Sequence, residues 1–292
     1  MSAIADARIV MPKVKASRGY WASVGHRLLR DPVAMVALAV IVLIVLATIF
    51  APYVAPADPY KGSMLRRLKP IGFPGYPLGA DELGRDMLTR LIYGGRLSLF
   101  IGVMPVLLAF CIGSGIGVFA GYVGGRINTV VMRVIDVFFA FPSVLLAIAL
   151  SGALGAGILN SIVSLTIVFV PQIARVSEAV TTQIRTRDYV EAARVSGANA
   201  FTIVRVHVLG NVLGPVFVFA TGLISVSIIL ASGLSFLGLG VQPPTSDWGE
   251  MLASARSSLP RAWWLAVFPG LMIALTVLSF NLLGDALRDA LD

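Results

Sequence analysis

Six long apolar runs constrain this chain more than any other feature of its sequence. They cover residues 33–54, 98–122, 136–156, 159–176, 212–240 and 263–284, and their interiors hold no Asp, Glu, Lys or Arg. Each run reaches the roughly 18–20 residues that a helix needs to cross a bilayer. Because a backbone in lipid must satisfy its own hydrogen bonds, we expect an all-α polytopic membrane protein with six transmembrane helices.

The composition agrees with a membrane protein and gives the basic residues a simple role. Apolar residues make up 57% of the chain and charged residues only 13%, which is too little polar surface for a soluble domain of this length. A net charge of +8 would suggest nucleic-acid binding in a soluble protein. Here the lysines and arginines lie in the loops, where they set topology. We therefore expect the lipid bilayer as surroundings and no nucleic-acid partner.

The distribution of lysine and arginine predicts the orientation. With the N-terminus in the cytoplasm, 14 of the 23 basic residues fall on the cytoplasmic side, so both termini are predicted to be cytoplasmic. Trp248, Trp263 and Trp264 then lie near the outer interface, as an aromatic belt would. The chain is expected to begin with a cytoplasmic segment 1–32, in which residues 19–30 form either an interfacial helix or a disordered tail. A first transmembrane anchor 33–54 and an extracytoplasmic loop 55–97 follow. The rest is a core of five helices 98–286, with a cytoplasmic loop at about 177–211, and a cytoplasmic tail 287–292.

The chain lacks the motifs of a catalyst and of an ion-driven carrier. Its four lysines have no Walker A context, and no HExxH, GxSxG or Cys/His cluster is present. His26 and His207 stand apart, and Cys111 lies alone in an apolar run, where we expect a small buried side chain. We therefore expect no catalysis, metal or cofactor in this chain. Since no ionisable group lies at depth, an external energy source is favoured over ion coupling.

A polar stretch between the fourth and fifth runs, DYVEAARVSGANAFTIVRVHVLGN, predicts a helix–turn–helix elbow. Asp188–Ser196 is predicted to be helical and to end at Gly197 in a left-handed conformation. Asn199 is placed to cap a second helix, Ala200–Leu209. An exposed elbow of this kind either binds another protein or packs on its own membrane domain, and the pattern alone favours neither.

Side-chain patterns add two expectations for the elbow. Glu191 is spaced to pair with Arg187 and with Arg194 on the first helix. On the second helix Phe201, Val204 and Val208 are expected on one side and Arg205 on another.

The elbow also carries a resemblance to a known family. Glu191-Ala192-Ala193, followed after three residues by Gly197, resembles the EAA loop of binding-protein-dependent ABC importer permeases. Stretches 78–99, 132–150, 234–252 and 268–292 resemble the C-type subunit of dipeptide and oligopeptide permeases, so that the resemblance covers roughly residues 19–292. It implies a type I ABC importer fold in the bacterial inner membrane, with the elbow as a coupling helix. The residues that it assigns to coupling with an ATPase are Asp188, Tyr189, Glu191, Ala192, Ala193, Gly197, Asn199 and His207.

The resemblance implies partners as well as a fold. They are a homologous sister permease, two ABC ATPase subunits that bind ATP and Mg²⁺, and an extracytoplasmic peptide-binding protein. Two positions depart from the family pattern. Gly210 stands where a proline is usual, which predicts a looser exit from the elbow. Ala231-Ser232 stands where a glutamate is common, so any role of that carboxylate is in doubt here.

Prolines, glycines and one charged cluster complete the candidate features. Five spans contain a proline that acts as a gating hinge or as a static kink: Pro105, Pro142, Pro171, Pro215 and Pro269. Gly113, Gly117 and Gly121 form a stripe expected to pack against another helix. The outer stretch 78–97 is expected to be a solvated amphipathic helix, or else to bind peptide termini or a docking receptor; its charged residues are Asp81, Glu82, Arg85, Asp86, Arg90 and Arg96.

These observations favour a permease subunit that imports dipeptides or oligopeptides by alternating access, driven by ATP hydrolysis on partner subunits. The same machinery with another cargo, such as nickel, glutathione or an antibiotic-like peptide, is the nearest alternative. An ion-coupled carrier or channel and a membrane scaffold for a soluble enzyme are alternatives of other classes. No substrate-path residue follows from the sequence.

Overall fold

The structure is a computed structural model that describes residue 25 and residues 27–291. The expectation for residues 19–30 falls largely outside this part of the chain. The helices are α1 (Pro32–Ile49), α2 (Ala51–Val54), α3 (Met87–Val123), α4 (Gly125–Phe139), α5 (Ser143–Leu154), α6 (Ile158–Ile184), α7 (Asp188–Val195), α8 (Ala200–Thr202), α9 (Leu209–Phe236), α10 (Trp248–Ala255) and α11 (Trp264–Leu291). A π-helical turn, Ile203–Val208, joins α8 to α9. The all-α fold predicted from the apolar runs is thus confirmed for the described residues.

Five helical stretches are long and apolar enough to cross a membrane by themselves: α1, α3, α6, the continuous stretch Ala200–Phe236, and α11. The third predicted span, 136–156, is different, because it covers only the end of α4, the break and α5, and these two helices meet at an angle of 87°. Pro142 immediately precedes α5, and a proline removes a backbone donor and disfavours a helical conformation in the residue before it. Counted as one broken span, this pair brings the described residues to the six spans predicted; counted as a re-entrant loop, it leaves five.

The spanning helices extend further than the apolar runs indicated. Helix α3 begins at Met87 rather than near residue 98, because the carboxylate of Asp86 accepts a hydrogen bond from the backbone N–H of Thr89 at 2.8 Å and caps the helix. Helix α6 continues to Ile184, beyond the predicted end at 176. Hydropathy marks only the part of a helix in lipid, whereas these helices continue into polar surroundings.

Helices α3 and α6 form the centre of the bundle. A Cβ atom added at Gly113 would lie 2.9 Å from the carbonyl oxygen of Val170, and one at Gly121 would lie 2.8 Å from that of Glu178. Gly117 approaches the backbone of Ala174 still more closely. The predicted stripe of small residues therefore packs within this chain, because only glycine lets two helix backbones approach so closely.

At the end of the bundle opposite the elbow, which is called the outer end here after the predicted orientation, helix α10 folds back against α3. The side chain of Trp248 is fully buried; its backbone N–H donates to Ser98 Oγ at 2.9 Å and its indole N–H to the carbonyl of Leu91 at 3.0 Å. Trp264 is also buried, whereas Trp263 is 56% exposed. The aromatic-belt expectation is therefore wrong for Trp248 and Trp264, which pack inside the protein, and only Trp263 presents its side chain at the surface. Cys111 is exposed, contrary to the buried position expected.

Candidate functional site

The first arm of the elbow ends in the turn that its sequence predicts. Helix α7 stops at Val195, and Gly197 adopts a φ of 86°. The Gly197 N–H donates to the carbonyl of Arg194, and the Ala198 N–H to that of Ala193, both at 3.1 Å. These are the two hydrogen bonds of a Schellman C-cap, which requires a left-handed residue. Gly197 thus directs the chain back toward the membrane, and the left-handed turn predicted there is confirmed.

The second arm begins as predicted but does not end where predicted. The side-chain oxygen of Asn199 accepts a hydrogen bond from the Thr202 N–H at 2.8 Å and caps the helix. The helix expected to stop at Leu209 instead runs without interruption to Phe236. Gly210, which stands in place of the family proline, lies inside this continuous helix. It retains the backbone N–H that a proline would lack, and the helix continues through this position without a break. The looser exit expected there stays a prediction.

One face of the elbow packs into the membrane domain and the other is exposed. Val190, Ile203 and Val208 have at most 1% of their surface exposed and belong to the main hydrophobic cluster. Val195 is 89% exposed and Phe201 74% exposed. Phe201 therefore does not share the buried side of Val208, because the π-helical turn changes the register of the second arm. The elbow is fixed to its own chain on one side and presents apolar groups on the other.

The remaining coupling residues lie on or beside this exposed face. Tyr189 is half exposed and its ring centroid lies 6.2 Å from that of His207 on the second arm. Glu191 forms no ion pair with Arg187 or Arg194, contrary to expectation, although its position in the first turn of α7 suits the helix dipole. Asp188 and Ala192 are exposed, whereas Ala193 packs partly against the main hydrophobic cluster.

The five candidate hinge prolines occupy two kinds of position. Four of them, Pro105, Pro171, Pro215 and Pro269, lie inside helices, where each removes one backbone hydrogen bond. Pro142 lies in the break before α5 instead of inside a span. Whether any of them acts as a hinge stays a prediction.

The charged stretch 78–97 is not the solvated helix that we favoured. Arg90, which is 3% exposed, donates to Asp81 at 2.6 Å and to Glu250 at 2.9 Å, and Arg85 donates to Asp81 at 2.7 Å. Residues from two distant parts of the chain thus form a buried ion-pair network that attaches the outer loop to α10. Glu250 was missed in the sequence because no local signal connects it to a residue 160 positions earlier.

Two other charged residues of this stretch also have structural partners. Glu82 accepts hydrogen bonds from the hydroxyls of Ser257 and Ser258 at 2.8 and 2.7 Å. Arg96 donates to the carbonyls of Thr48 and Ile49 at 2.6 and 2.8 Å, and so caps the outer end of α1. These contacts join the outer loops to one another and to the first span.

A buried carboxylate lies beside this network. Asp247 caps α10 by accepting a hydrogen bond from the Glu250 N–H at 2.7 Å, and it accepts another from Ser235 Oγ at 2.8 Å. Burial raises the pKa of Asp247 to about 6, with a further contribution from the charge of Glu250. Ala231 and Ser232 stand where the family commonly has a glutamate. They are also buried, and they lie one helical turn before Ser235 on α9.

The bundle and the elbow together define a class of protein: an all-α protein with several helices suited to span a membrane and an exposed elbow between two of them. Sequence comparisons make this class specific. Residues 113–292 match the family described as "Binding-protein-dependent transport system inner membrane component", and residues 19–70 match "N-terminal TM domain of oligopeptide transport permease C". The chain belongs to this family of inner-membrane transport permeases.

Similar proteins include three bacterial permeases. The chain is 44% identical to the di/tripeptide transport system permease protein of Pseudomonas aeruginosa (strain UCBPP-PA14), over 94% of this chain and 90% of that one. It is 42% identical to a glutathione transport system permease protein of Pectobacterium atrosepticum, over 95% and 92%, and 40% identical to a dipeptide transport system permease protein of Haemophilus influenzae, over 89% and 90%. In a solved structure, a chain of the MetNI methionine ABC transporter has the same fold, with a TM-score of 0.57 and 20% identity over 70% of this chain and 97% of that one.

Proposed function

We propose that this chain is the permease subunit of an ATP-driven importer that moves dipeptides or oligopeptides across the bacterial inner membrane by alternating access. The names of the relatives at 40–44% identity support a peptide cargo. The chain itself is proposed to be non-catalytic, with ATP and Mg²⁺ bound by two ABC ATPase subunits. A homologous sister permease forms the other half of the pore, and an extracytoplasmic binding protein delivers the peptide.

The observation that carries this proposal is the exposed apolar face of the elbow. Val195 at the end of α7 and Phe201 in α8 leave apolar surface exposed on an elbow whose other face is firmly packed. A soluble ATPase with an apolar groove would cover them, in the manner of an amphipathic helix that lies in a groove. The proposed orientation, with both termini and the elbow in the cytoplasm, places this face on the side where ATP is available.

The experiment combines changes in the turn with changes on the exposed face. Gly197→Val should strain only the backbone, by about 1–2 kcal/mol, because no neighbouring atom lies within 4 Å of the added Cβ. Val195→Asp and Phe201→Asp should remove apolar contact without disturbing the buried face. All three variants should insert normally but lose peptide uptake, and copurification of the ATPase should weaken.

Gly210→Ala is the matched control, because Gly210 has a helical conformation and open space around its Cα. It should retain uptake. Normal uptake by all three elbow variants would show that the elbow is only a surface helix and would refute the coupling role.

Glutathione, itself a modified tripeptide, is the second candidate cargo, because relatives at 42% identity are named as glutathione permeases. Competition decides between the two cargoes. Uptake of a labelled dipeptide by cells with the complete transporter should be inhibited by unlabelled dipeptides more strongly than by glutathione. The reverse order would assign glutathione as the main cargo.

A further inference from the structure

A cavity that is open on one side lies at the break between α4 and α5, and neither the elbow nor the outer network contributes to it. Its volume is about 370 Å³, within the range of small-ligand pockets. Phe138, Phe139 and Phe141 line it from the break, and Pro171 and Gln172 line it from α6. The cavity is therefore aromatic, with one amide side chain, and lies on a broken span.

An ion pair lies next to this cavity. Arg175 pairs with Asp136, and the guanidinium lies 5.9 Å from the centroid of the Phe139 ring. Arg175 is one helical turn beyond Pro171 and Gln172, so that the ion pair and the cavity share a wall.

The ion pair is open to further partners. The side chains of Arg175 and Asp136 are 44% and 45% exposed, and within residues 27–291 neither makes another hydrogen bond. In the outer network, by contrast, Asp81 accepts four hydrogen bonds, three of them from the buried residues Arg85 and Arg90. On a water-filled path through the pore, a half-exposed pair contributes little stability, roughly 0–1 kcal/mol. It can therefore exchange its partner for a ligand at little cost.

The chemistry of a free peptide matches this arrangement. A dipeptide carries one carboxylate and one ammonium group, and an arginine binds a carboxylate through two parallel N–H donors. Asp136 offers a carboxylate to the ammonium group. The aromatic cavity offers apolar surface to a peptide side chain of any shape, which suits a varied cargo.

We propose that Arg175, Asp136 and the cavity at the break form a contact site for the charged termini of a peptide on its path through this subunit. The inference rests on the peptide cargo proposed above and specifies its substrate contacts. Arg175 holds the C-terminal carboxylate, Asp136 holds the N-terminal ammonium group, and Phe139 contacts the adjoining side chain.

Protection of an introduced cysteine from a maleimide tests this site in the complete transporter without the binding protein. The background carries Cys111→Ser and Gln172→Cys, which places the thiol in the cavity wall. The dipeptide Ala-Phe at about four times its Kd should slow labelling about fivefold. The same dipeptide acetylated and amidated at its ends should slow it little. Omission of the binding protein removes its own peptide selectivity from the result.

Three further variants, made in that background, separate recognition from structure. Arg175→Gln should weaken protection by the free dipeptide by about tenfold or more in affinity, and Arg175→Lys should restore part of it. Arg133→Gln is the matched control, because Arg133 is exposed on α4 and forms no ion pair with a described residue. It should leave protection unchanged.

Equal protection by free and blocked dipeptides would overturn the inference, and so would full protection in Arg175→Gln. Either result could accompany normal dipeptide uptake by the unmodified transporter, in which case the proposed function stands and only the contact site fails. If the unmodified transporter takes up no dipeptide, the peptide cargo itself is wrong.

Discussion

Removal of the Arg90 side chain should destabilise the outer end of the protein more than removal of any exposed arginine. Arg90 joins Asp81 to Glu250 at 2.6 and 2.9 Å and is 97% buried, since only 3% of its surface is exposed. In the variant Arg90→Met, Asp81 keeps Arg85 as a partner. Glu250 keeps only the Ser254 hydroxyl, at 2.6 Å, and so loses its compensating charge.

The magnitude follows from this uncompensated carboxylate. Breaking a buried pair by removal of one partner costs about 3–5 kcal/mol. At roughly 2–4 °C per kcal/mol for a domain of this size, the thermal midpoint should fall by about 6–20 °C. Thermal unfolding of the purified protein, followed by tryptophan fluorescence, to which the buried Trp248 contributes, measures this fall.

Two comparisons make the measurement specific to charge. Arg67→Met removes an exposed arginine without a hydrogen bond to a described residue, and should shift the midpoint by less than about 2 °C. The double variant with Arg90→Met and Glu250→Gln should recover part of the loss, because the unpaired charge is gone. If Arg90→Met is no worse than Arg67→Met, the buried network does not hold the outer loops and this reasoning fails.

Three shorter predictions test the packing, the buried carboxylate and the topology. Gly117→Ala should force α3 and α6 apart and lower the free energy of unfolding by about 1–3 kcal/mol. Gly115→Ala should be tolerated, because nothing lies within 4 Å of its added Cβ. Equal thermal midpoints of the two variants would contradict the close packing. The pKa of Asp247 is raised from 3.8 to about 6, so the folded state binds the extra proton and stability should fall as pH rises from about 4 to 6. Asp247→Asn keeps the helix cap but should make the thermal midpoint depend less on pH. Equal pH dependence in the variant and the unmodified protein would refute this role of Asp247. On a cysteine-free background, a cysteine at exposed Gln242 should react with an impermeant maleimide from outside, and one at exposed Thr186 should not. The reverse pattern would show that the predicted orientation is wrong.

The elbow could be predicted from the sequence because its determinants are local. A glycine after the last helical residue and an asparagine before the next helix act through hydrogen bonds within three or four positions, and both Gly197 and Asn199 make them. The spans could be predicted for the same reason, because each one is recognised by the hydropathy of its own residues. The end of the second arm was misplaced because a polar helical extension resembles a separate short helix in sequence.

The outer loop and the broken span could not be predicted for a different reason. The carboxylate of Glu250 compensates the charge of Arg90, although the two residues are 160 positions apart in the sequence. A single sequence does not show which distant residues come into contact. A cluster of charges therefore looked solvated. At the break, Pro142 was visible, but a proline inside an apolar run is compatible with a kinked span as well as with two helices at 87°.

The two ends of this bundle differ in a way that bears on its mechanism. At the outer end, buried ion pairs, the cap of Asp247 and the indole of Trp248 fix the loops to α3 and α9. At the elbow end, the second arm is one continuous helix with α9. A displacement of the elbow must therefore pass into α9, since no loop separates them to absorb it. Between the elbow and the outer network, the helical stretch Ala200–Phe236 departs from regular α-helix at the π-helical turn and at Pro215. A force applied at the elbow would then tilt or bend α9 about a fixed outer end. The proposed alternating access would need such a motion, and Gly210 lies in the helix that would carry it.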